Sequence, residues 1–184
     1  MGQYYIAVNA SNKEWVDSGD NGAKLMEHSY IGNSFVESVE FLLIDDGEGN
    51  RGRWSGNRIV WAGDYADDEP NKGNNLYSLT EEKNKLKMLI EAVPSNYHYL
   101  VNWDKKQFVD KTKCNPMTAN WNTNNMKIHP LPLLTADGNG RGGGDYHGNE
   151  HSMVYVGIWA KDRISLMKEI PEDFIEIIPN FDED

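Results

Sequence analysis

The chain has 184 residues, a formal net charge of −11 and a single cysteine, Cys114. A chain of this length can bury the core of one domain, and one cysteine excludes an internal disulfide and a zinc site built from several cysteines. The negative charge disfavours nucleic acid as a partner, and no apolar run approaches the ~18 residues that span a bilayer. We therefore expect a single cytoplasmic domain, 1–184, with no cofactor, no bound metal and no membrane partner.

The chain begins with an alternating apolar segment that predicts a β-hairpin. Residues 4–9 and 13–17 have the pattern of two strands joined by a polar turn. A matching stretch follows 93 positions later, in residues 97–102 and 106–110. The repeat predicts two related halves, about 1–93 and 94–174, packed as a pseudo-symmetric whole and followed by an acidic tail, 175–184.

Two helices are predicted in the first half. Ser34 and Glu37 have the spacing of a capping box, and apolar residues after them share one helical face. A second helix is predicted from about Thr80 to Ala92, ended by Pro94. With the hairpins, these helices predict an α+β fold with a mainly antiparallel β-sheet.

A second repeat has a spacing of 105 positions. The segment 52–59 resembles 157–164, so that Arg58 corresponds to Arg163 and Trp54 to Trp159. Each copy is predicted to form a hairpin with a polar turn.

A glycine-rich loop is the most distinctive segment. Five of the seven residues 138–144 are glycine, which permits positive φ and close approach of a ligand. Successive backbone N–H groups can cradle an anion, and Arg141 adds a planar fork suited to phosphate. The glycine spacing fits a dinucleotide fingerprint, but a strand-like segment, 153–159, follows where a helix is required. We interpret the segment as an anion-binding loop, and a loop without function is the alternative.

The turn Gly63-Asp64-Tyr65 repeats the last three residues of that loop, Gly144-Asp145-Tyr146. If the halves are pseudo-symmetric, the two turns can face a shared cleft; the simpler alternative is that Gly-Asp favours turns. No catalytic residue is predicted, because the histidines and the cysteine form no recognisable catalytic motif. The candidate ligand-binding residues are Gly140, Arg141, Gly142, Gly143, Gly144, Asp145, Tyr146, Arg58, Asp64, Tyr65, Trp159 and Arg163.

Motifs along nearly the whole chain resemble those of a family of small proteins from bacteriophages and bacterial genomes. They include Met1-Gly2-Gln3-Tyr4-Tyr5, the segments 24–33 and 60–67, and residues 129–136 that run into the glycine loop. The resemblance implies a phage-related protein that acts in the host cytoplasm. It implies no catalytic residues.

Three functions fit these features. The leading hypothesis is sequestration of a phosphate-bearing small molecule, such as a nucleotide-derived host defence signal, by the glycine loop and the arginines, with an aromatic ring stacked on a base. The first alternative is an acidic inhibitor that presents its tail and Asp67-Asp68-Glu69 to a host protein. The second is a nucleotide-processing hydrolase or transferase that uses Asp64, Asp145 and a histidine. Homo-oligomer formation is left open.

Overall fold

Short strands and helices form the fold in a computed structural model that describes residues 2–19, 22–89, 91–116, 126–138 and 146–181. The strands are β1 (Tyr5–Asn9), β2 (Glu14–Val16), β3 (Ile44–Asp45), β4 (Asn57–Gly63), β5 (Tyr99–Asn102), β6 (Gln107–Asp110), β7 (Ala136–Asp137), β8 (Asp162–Met167) and β9 (Ile175–Glu176). The helices are α1 (Leu25–His28), α2 (Ser34–Leu43), α3 (Pro130–Leu134) and α4 (Glu150–Met153), with 3-10 turns at Glu82–Asn84 and Lys111–Lys113.

The strands form one sheet in the order β2-β1-β4-β8-β5-β6-β9. Strand β3 pairs with β8 and β7 pairs with β4, both in parallel, and β9 is parallel to β6. The remaining pairings are antiparallel. The predicted α+β fold with a mainly antiparallel sheet is confirmed.

Both hairpins of the first repeat form, and their turns are built in the same way. The side-chain Oδ1 of Asn9, at the end of β1, accepts hydrogen bonds from the backbone N–H groups two and three residues further on. Asn102 does the same at the end of β5. Lys13 and Lys106 close the two turns with left-handed φ angles of 64° and 51°. Side-chain acceptors of this kind stabilise tight turns, which explains why asparagine stands at both positions.

Strands β4 and β8 lie side by side at the centre of the sheet, and the strand pairings on either side of them are arranged symmetrically. Arg58 is paired directly with Arg163 in the antiparallel register, so two equivalent residues face each other. On either side, β1 pairs with β4 as β5 pairs with β8. Strand β3 of the first half pairs with β8 of the second, and β7 of the second half pairs with β4 of the first. The two halves therefore exchange strands.

The hairpins predicted from the second repeat do not form. In each half, the residues before β4 or β8 make a turn without a return strand. Trp54 and Trp159 are completely buried, so the chain before each strand enters the core instead of running along its neighbour. Gly52 and Gly157 are required there, because an added Cβ would lie 2.3 Å and 2.6 Å from a backbone oxygen.

Helix α2 is confirmed, with its cap one residue earlier than predicted. Asn33, not Ser34, is the N-cap, and its side chain accepts hydrogen bonds from the N–H groups of Phe35 and Val36. The residues that follow place an apolar face against the sheet.

Two other predicted elements are wrong. The range 80–92 contains only the 3-10 turn Glu82–Asn84 among its described residues. The Leu86 N–H donates to the Trp15 carbonyl at 2.8 Å, so this segment extends the edge of β2 instead of forming a helix. The predicted strand 153–159 is also wrong, because α4 and a series of turns occupy it.

Both faces of the sheet are covered by apolar side chains. The main core lies on the face that carries α2 and α3. The opposite face, here called the outer face, has two smaller clusters at equivalent positions of the two halves: Ile6, Val8, Trp15, Val60 and Ala62 in the first, and Val101, Phe108 and Met167 in the second. Arg58 and Arg163 each stand next to a residue of the main core, Ile59 or Ile164, and therefore point to the outer face, between the two clusters. Within the described residues, no helix has the length and apolar character needed to cross a membrane.

Candidate functional site

The structure brings Arg58 and Arg163 together on the outer face. Their side chains are 52% and 51% exposed, and both contact the Asp104 carboxylate. Arg163 Nε donates to Oδ1 at 2.8 Å, and Arg58 Nη1 donates to Oδ2 at 3.4 Å. Burial alone raises the pKa of Asp104, but hydrogen bonds from Arg163 and the charges of both arginines lower it overall. One carboxylate thus faces two guanidinium groups, which leaves a local excess of positive charge on an acidic protein.

A cavity of about 260 Å³ opens beside this pair. It is lined by Asp45, Arg51, Gly56, Trp103 and Arg163. A second cavity, also of about 260 Å³, shares Asp45, Arg51 and Trp103 with the first, so the two cavities are adjacent. Together they are called the arginine groove below.

Arg51 and Trp103 form the two walls of the arginine groove. Arg51 Nε lies 3.0 Å from Asp45 Oδ2, and the Arg51 side chain is 62% exposed. The half-buried Trp103 is fixed by a hydrogen bond from its Nε1 to Ser165 Oγ at 2.9 Å. The Nη atoms of Arg51 and Arg163 form no hydrogen bond with any other described residue. The groove therefore presents two guanidinium forks and one indole to solvent, with the carboxylates of Asp46 and Glu169 in its second cavity.

A glycine keeps the groove open. Gly56 and Lys161 are equivalent by the 105-residue repeat, and both have left-handed φ angles, 70° and 65°. The Lys161 ammonium lies 3.0 Å from Asp137 and 2.5 Å from Glu69. At Gly56, by contrast, an added Cβ would meet nothing within 4 Å. The space that a lysine occupies in one half is free in the other.

The predicted glycine loop falls mostly outside the described residues: this holds for Gly140, Arg141, Gly142, Gly143, Gly144 and Asp145. Its first residue, Gly138, lies beside Gly63, because β7 and β4 are parallel neighbours. An added Cβ would lie 2.4 Å from Tyr5 Oη at Gly138 and 2.0 Å from Gln3 Nε2 at Gly63. The start of the loop is therefore close to the Gly63-Asp64-Tyr65 turn.

Asp64 and Tyr65 lie at the opposite end of β4 from Arg58, at a distance of about 20 Å along the strand. Asp64 Oδ1 accepts a hydrogen bond from the Tyr4 N–H at 2.9 Å, and the Asp64 N–H donates to the Tyr4 carbonyl. This aspartate fastens the N-terminal segment to β4. The structure does not bring Asp64 and Tyr65 to the arginine pair.

Two aromatic rings predicted to bind ligand are in the core. Trp159 is completely buried, and its Nε1 donates to Gln107 Oε1 at 3.0 Å. Tyr146 is 2% exposed and packs edge-to-face against Phe181. A ligand could stack on either ring only if the core opened. The indole that lines the groove is that of Trp103, which the sequence analysis did not identify. The sequence contains one signal for it: the first repeat has Ala10 at the position equivalent to Trp103.

His28 and Cys114, two side chains of types often used in catalysis, are buried. His28 Nε2 accepts a hydrogen bond from Trp61 Nε1 at 2.8 Å, and burial lowers the pKa of His28 to about 3 against a smaller opposing effect of the Lys24 carbonyl. Burial, with a contribution from Asp110, raises the pKa of Cys114 to about 12. Neither side chain can act as an acid–base group or a thiolate near neutral pH. In the described part of the chain, no group of three or more His, Cys, Asp or Glu side chains could hold a metal ion.

Comparison with known proteins adds no assignment. No protein family, curated protein or solved structure matches this chain. The relation to a phage and bacterial family therefore stays a prediction, and the candidate site rests on the geometry of the arginine groove.

Proposed function

We propose that this protein binds and sequesters a phosphate-bearing small molecule in the arginine groove. The observation that carries the proposal is the arrangement of Arg51, Arg163 and Trp103 around a cavity of about 260 Å³. Guanidinium forks hold phosphate oxygens in pairs, and an indole offers a flat surface for a base. A nucleotide-derived signal in the host cytoplasm is the ligand class that agrees with the predicted phage origin.

The size of the groove supports this ligand class. Each of its two adjacent cavities has a volume of about 260 Å³, close to the lower end of the range of small-molecule sites, roughly 300–1,000 Å³. Trp103 lines both cavities, so a ring stacked on it and a phosphate held by Arg163 can be neighbours.

The lining of the first cavity, beside Arg163, supports binding without turnover; Asp46 and Glu169 line only the second cavity. The carboxylate of the first cavity, Asp45, is already engaged by Arg51 at 3.0 Å, by the hydroxyl of Ser55 at 3.3 Å and by the N–H of Gly47 at 3.0 Å. No histidine lines either cavity of the groove in the described part of the chain. A general base would need a free acceptor within reach of the ligand.

The acidic-inhibitor alternative has less support from the side-chain contacts. Glu69, one of the acids expected to face a basic partner, is 2.5 Å from the Lys161 ammonium. Glu176, in the acidic tail, is 2.5 Å from the Lys113 ammonium. Lysines of the same chain therefore neutralise part of this acidity.

Ligand-dependent thermal stabilisation tests the proposal. Mono-, di- and cyclic nucleotides at millimolar concentration should raise the Tm, because a ligand that binds only the folded state stabilises it by mass action. The same ligands should give a much smaller shift with Arg51→Gln. Inorganic phosphate in a parallel arm separates phosphate binding from recognition of the base.

Arg53→Gln is the matched control. Arg53 is also 62% exposed and is also paired with one carboxylate, that of Glu14, but it does not line the groove. Its nucleotide-induced Tm shift should equal that of the parent protein. Absence of a shift with every nucleotide, or equal shifts in Arg51→Gln and the parent, would overturn the proposal.

A further inference from the structure

Another cavity, separate from the two that form the arginine groove, lies on the outer face of the first half. It has a volume of about 300 Å³ and lies between β1 and the segment 69–81. Its apolar lining comes from Val8, Ala10, Leu76 and Leu79. It is called the lysine cavity below, because two lysines, Lys13 and Lys72, stand at its edge.

The repeat explains why this cavity exists. Ala10 follows the turn asparagine Asn9, as Trp103 follows Asn102 in the second half. There, the Trp103 indole extends across the outer face and packs edge-to-face on Phe174 at 5.4 Å. In the first half, the methyl group of Ala10 leaves the corresponding volume unfilled. An apolar floor open to solvent in this way favours an apolar ligand body.

The charges around the lysine cavity are not balanced. Glu69 is held by the Lys161 ammonium at 2.5 Å, and Glu81 by the Lys83 ammonium at 2.5 Å. Lys83 holds the pKa of Glu81 below its ordinary value, and Lys13 adds only a smaller effect in the same direction. Both lining carboxylates are thus already paired.

The two lysines at the edge, by contrast, are available to pair with an anionic ligand. The ammonium groups of Lys13 and Lys72 form no hydrogen bond or ion pair with another described residue, and both side chains are exposed. The left-handed φ of 64° at Lys13, set by the hairpin turn, fixes where its side chain leaves the backbone. The edge of the cavity therefore has an excess of positive charge on a chain whose net charge is −11.

We propose that the lysine cavity binds a small anionic amphiphile, an organic carboxylate or sulfonate with an aliphatic or aromatic body. The body lies on Val8, Ala10 and Leu76, and the anionic group lies toward Lys13 and Lys72. An ammonium is a compact charge that needs no bidentate partner, so it suits a single carboxylate or sulfonate. This site is separate from the arginine groove and does not depend on the function proposed for it.

Chemical-shift mapping with octanoate and naphthalene-2-sulfonate as probes tests this site. In ¹H–¹⁵N spectra, both probes should shift the amide signals of Val8, Ala10 and Leu76 and leave that of Trp103 unchanged. Octylammonium, which has the same body and the opposite charge, should shift them much less at equal concentration. Equal responses to octanoate and octylammonium would show that the lysines play no part and would overturn the proposal.

Two variants localise the binding. Ala10→Trp introduces the residue that the equivalent position already carries, and its indole should fill the cavity and abolish the shifts. Lys72→Glu should weaken octanoate binding by about tenfold or more, because an attractive charge becomes a repulsive one. Lys87→Glu makes the same change at an exposed lysine outside the cavity and should leave the affinity unchanged.

Folding of each variant is checked by its thermal unfolding transition. If Ala10→Trp does not fold, Lys72→Glu still decides, because the Lys72 side chain is exposed and forms no hydrogen bond or ion pair with another described residue. No shift with either probe at millimolar concentration, or unchanged octanoate affinity in Lys72→Glu, would contradict the proposal.

Discussion

Lys161 and Gly56 occupy equivalent positions, and both adopt a left-handed backbone conformation. In one half the lysine side chain spans the outer face to Asp137 and Glu69; in the other, glycine leaves that volume to the arginine groove. Ala10 and Trp103 are also equivalent, but here the large side chain is in the second half. Trp103 lines the arginine groove, and the small side chain of Ala10 leaves room for the lysine cavity. Single side chains at equivalent positions therefore decide where this fold has room for a ligand.

The burial of His28 makes the stability of the folded protein depend on pH. Its pKa is about 3 in the folded protein and roughly 6.5 in an unfolded chain. Between these values the unfolded chain binds a proton that the folded protein does not, so stability falls as pH falls from 6.5 toward 3. Between pH 7.5 and pH 5.0 this group alone should cost about 2 kcal/mol.

Urea unfolding at those two pH values measures the effect. His28→Gln, whose amide oxygen can still accept from Trp61, should lose less stability between pH 7.5 and 5.0 than the parent, although it is less stable at pH 7.5. His151→Gln, at an exposed histidine of α4, should keep the parental loss. Equal losses in His28→Gln and the parent would contradict this account.

At the scale of elements, hydrogen bonds to a strand edge can override a helical pattern. The segment 80–92 has helical spacing of apolar residues, but its backbone bonds to the edge of β2 through Leu86 and Trp15. The Trp15 indole adds a hydrogen bond from Nε1 to the Glu81 carbonyl at 2.9 Å, and Lys85 lies over its ring. Local propensity differs by less than about 1 kcal/mol per residue between such states, so these contacts outweigh it.

Helix α2 is joined to the second half by a buried charge cluster. Glu40, at 2% exposure, accepts a hydrogen bond from Lys111 Nζ at 2.6 Å, and its Oε1 lies 3.0 Å from His129 Nε2. The His129 Nδ1 accepts from the Leu131 N–H and so caps α3. Burial raises the pKa of Glu40, but His129 and Lys111 together outweigh that effect and lower it. One carboxylate thus connects three elements.

Glu40→Gln should destabilise the protein by about 3 kcal/mol, because it leaves the Lys111 ammonium, whose side chain is only 13% exposed, without its counter-charge. Chemical denaturation at neutral pH measures the change. Glu48→Gln, the same substitution at a 77% exposed side chain, should change the free energy of unfolding by less than about 0.5 kcal/mol. A cost for Glu40→Gln as small as that of the control would refute a structural role for the cluster.

At the scale of the whole molecule, the exchange of β3 and β7 makes each half incomplete. When the two halves are separated, β3 loses its pairing with β8 and β7 loses its pairing with β4. The central strands β4 and β8 then each become an open edge of a sheet. Fragments 1–93 and 94–184 should therefore show no cooperative unfolding alone and should recover it when mixed. Circular dichroism during urea titration tests this.

A second pair of fragments, cut between Val60 and Trp61 within β4, is the control and should not reassemble. The first cut lies in an exposed connection, whereas the second divides a strand that pairs with three neighbours. Cooperative unfolding of either half by itself would show that the two halves are independent domains.

The sequence alone determined the elements that depend on local patterns. Two-residue alternation with a polar turn predicted the hairpins, and the capping-box spacing of Ser34 and Glu37 with the apolar face after it predicted α2, because each of these signals lies within about ten residues of chain. The repeat also predicted that Arg58 and Arg163 are equivalent.

Only the tertiary structure decided that Arg58 and Arg163 are cross-strand neighbours, that Trp159 is in the core and that Trp103 lines a groove. Those facts depend on which segments from the two halves meet. The arginine groove is lined by residues of the segments 45–56 and 163–171 and by Trp103, and its volume depends on the absence of a side chain at Gly56. A cavity is the space between distant segments, so no local pattern in the sequence encodes it.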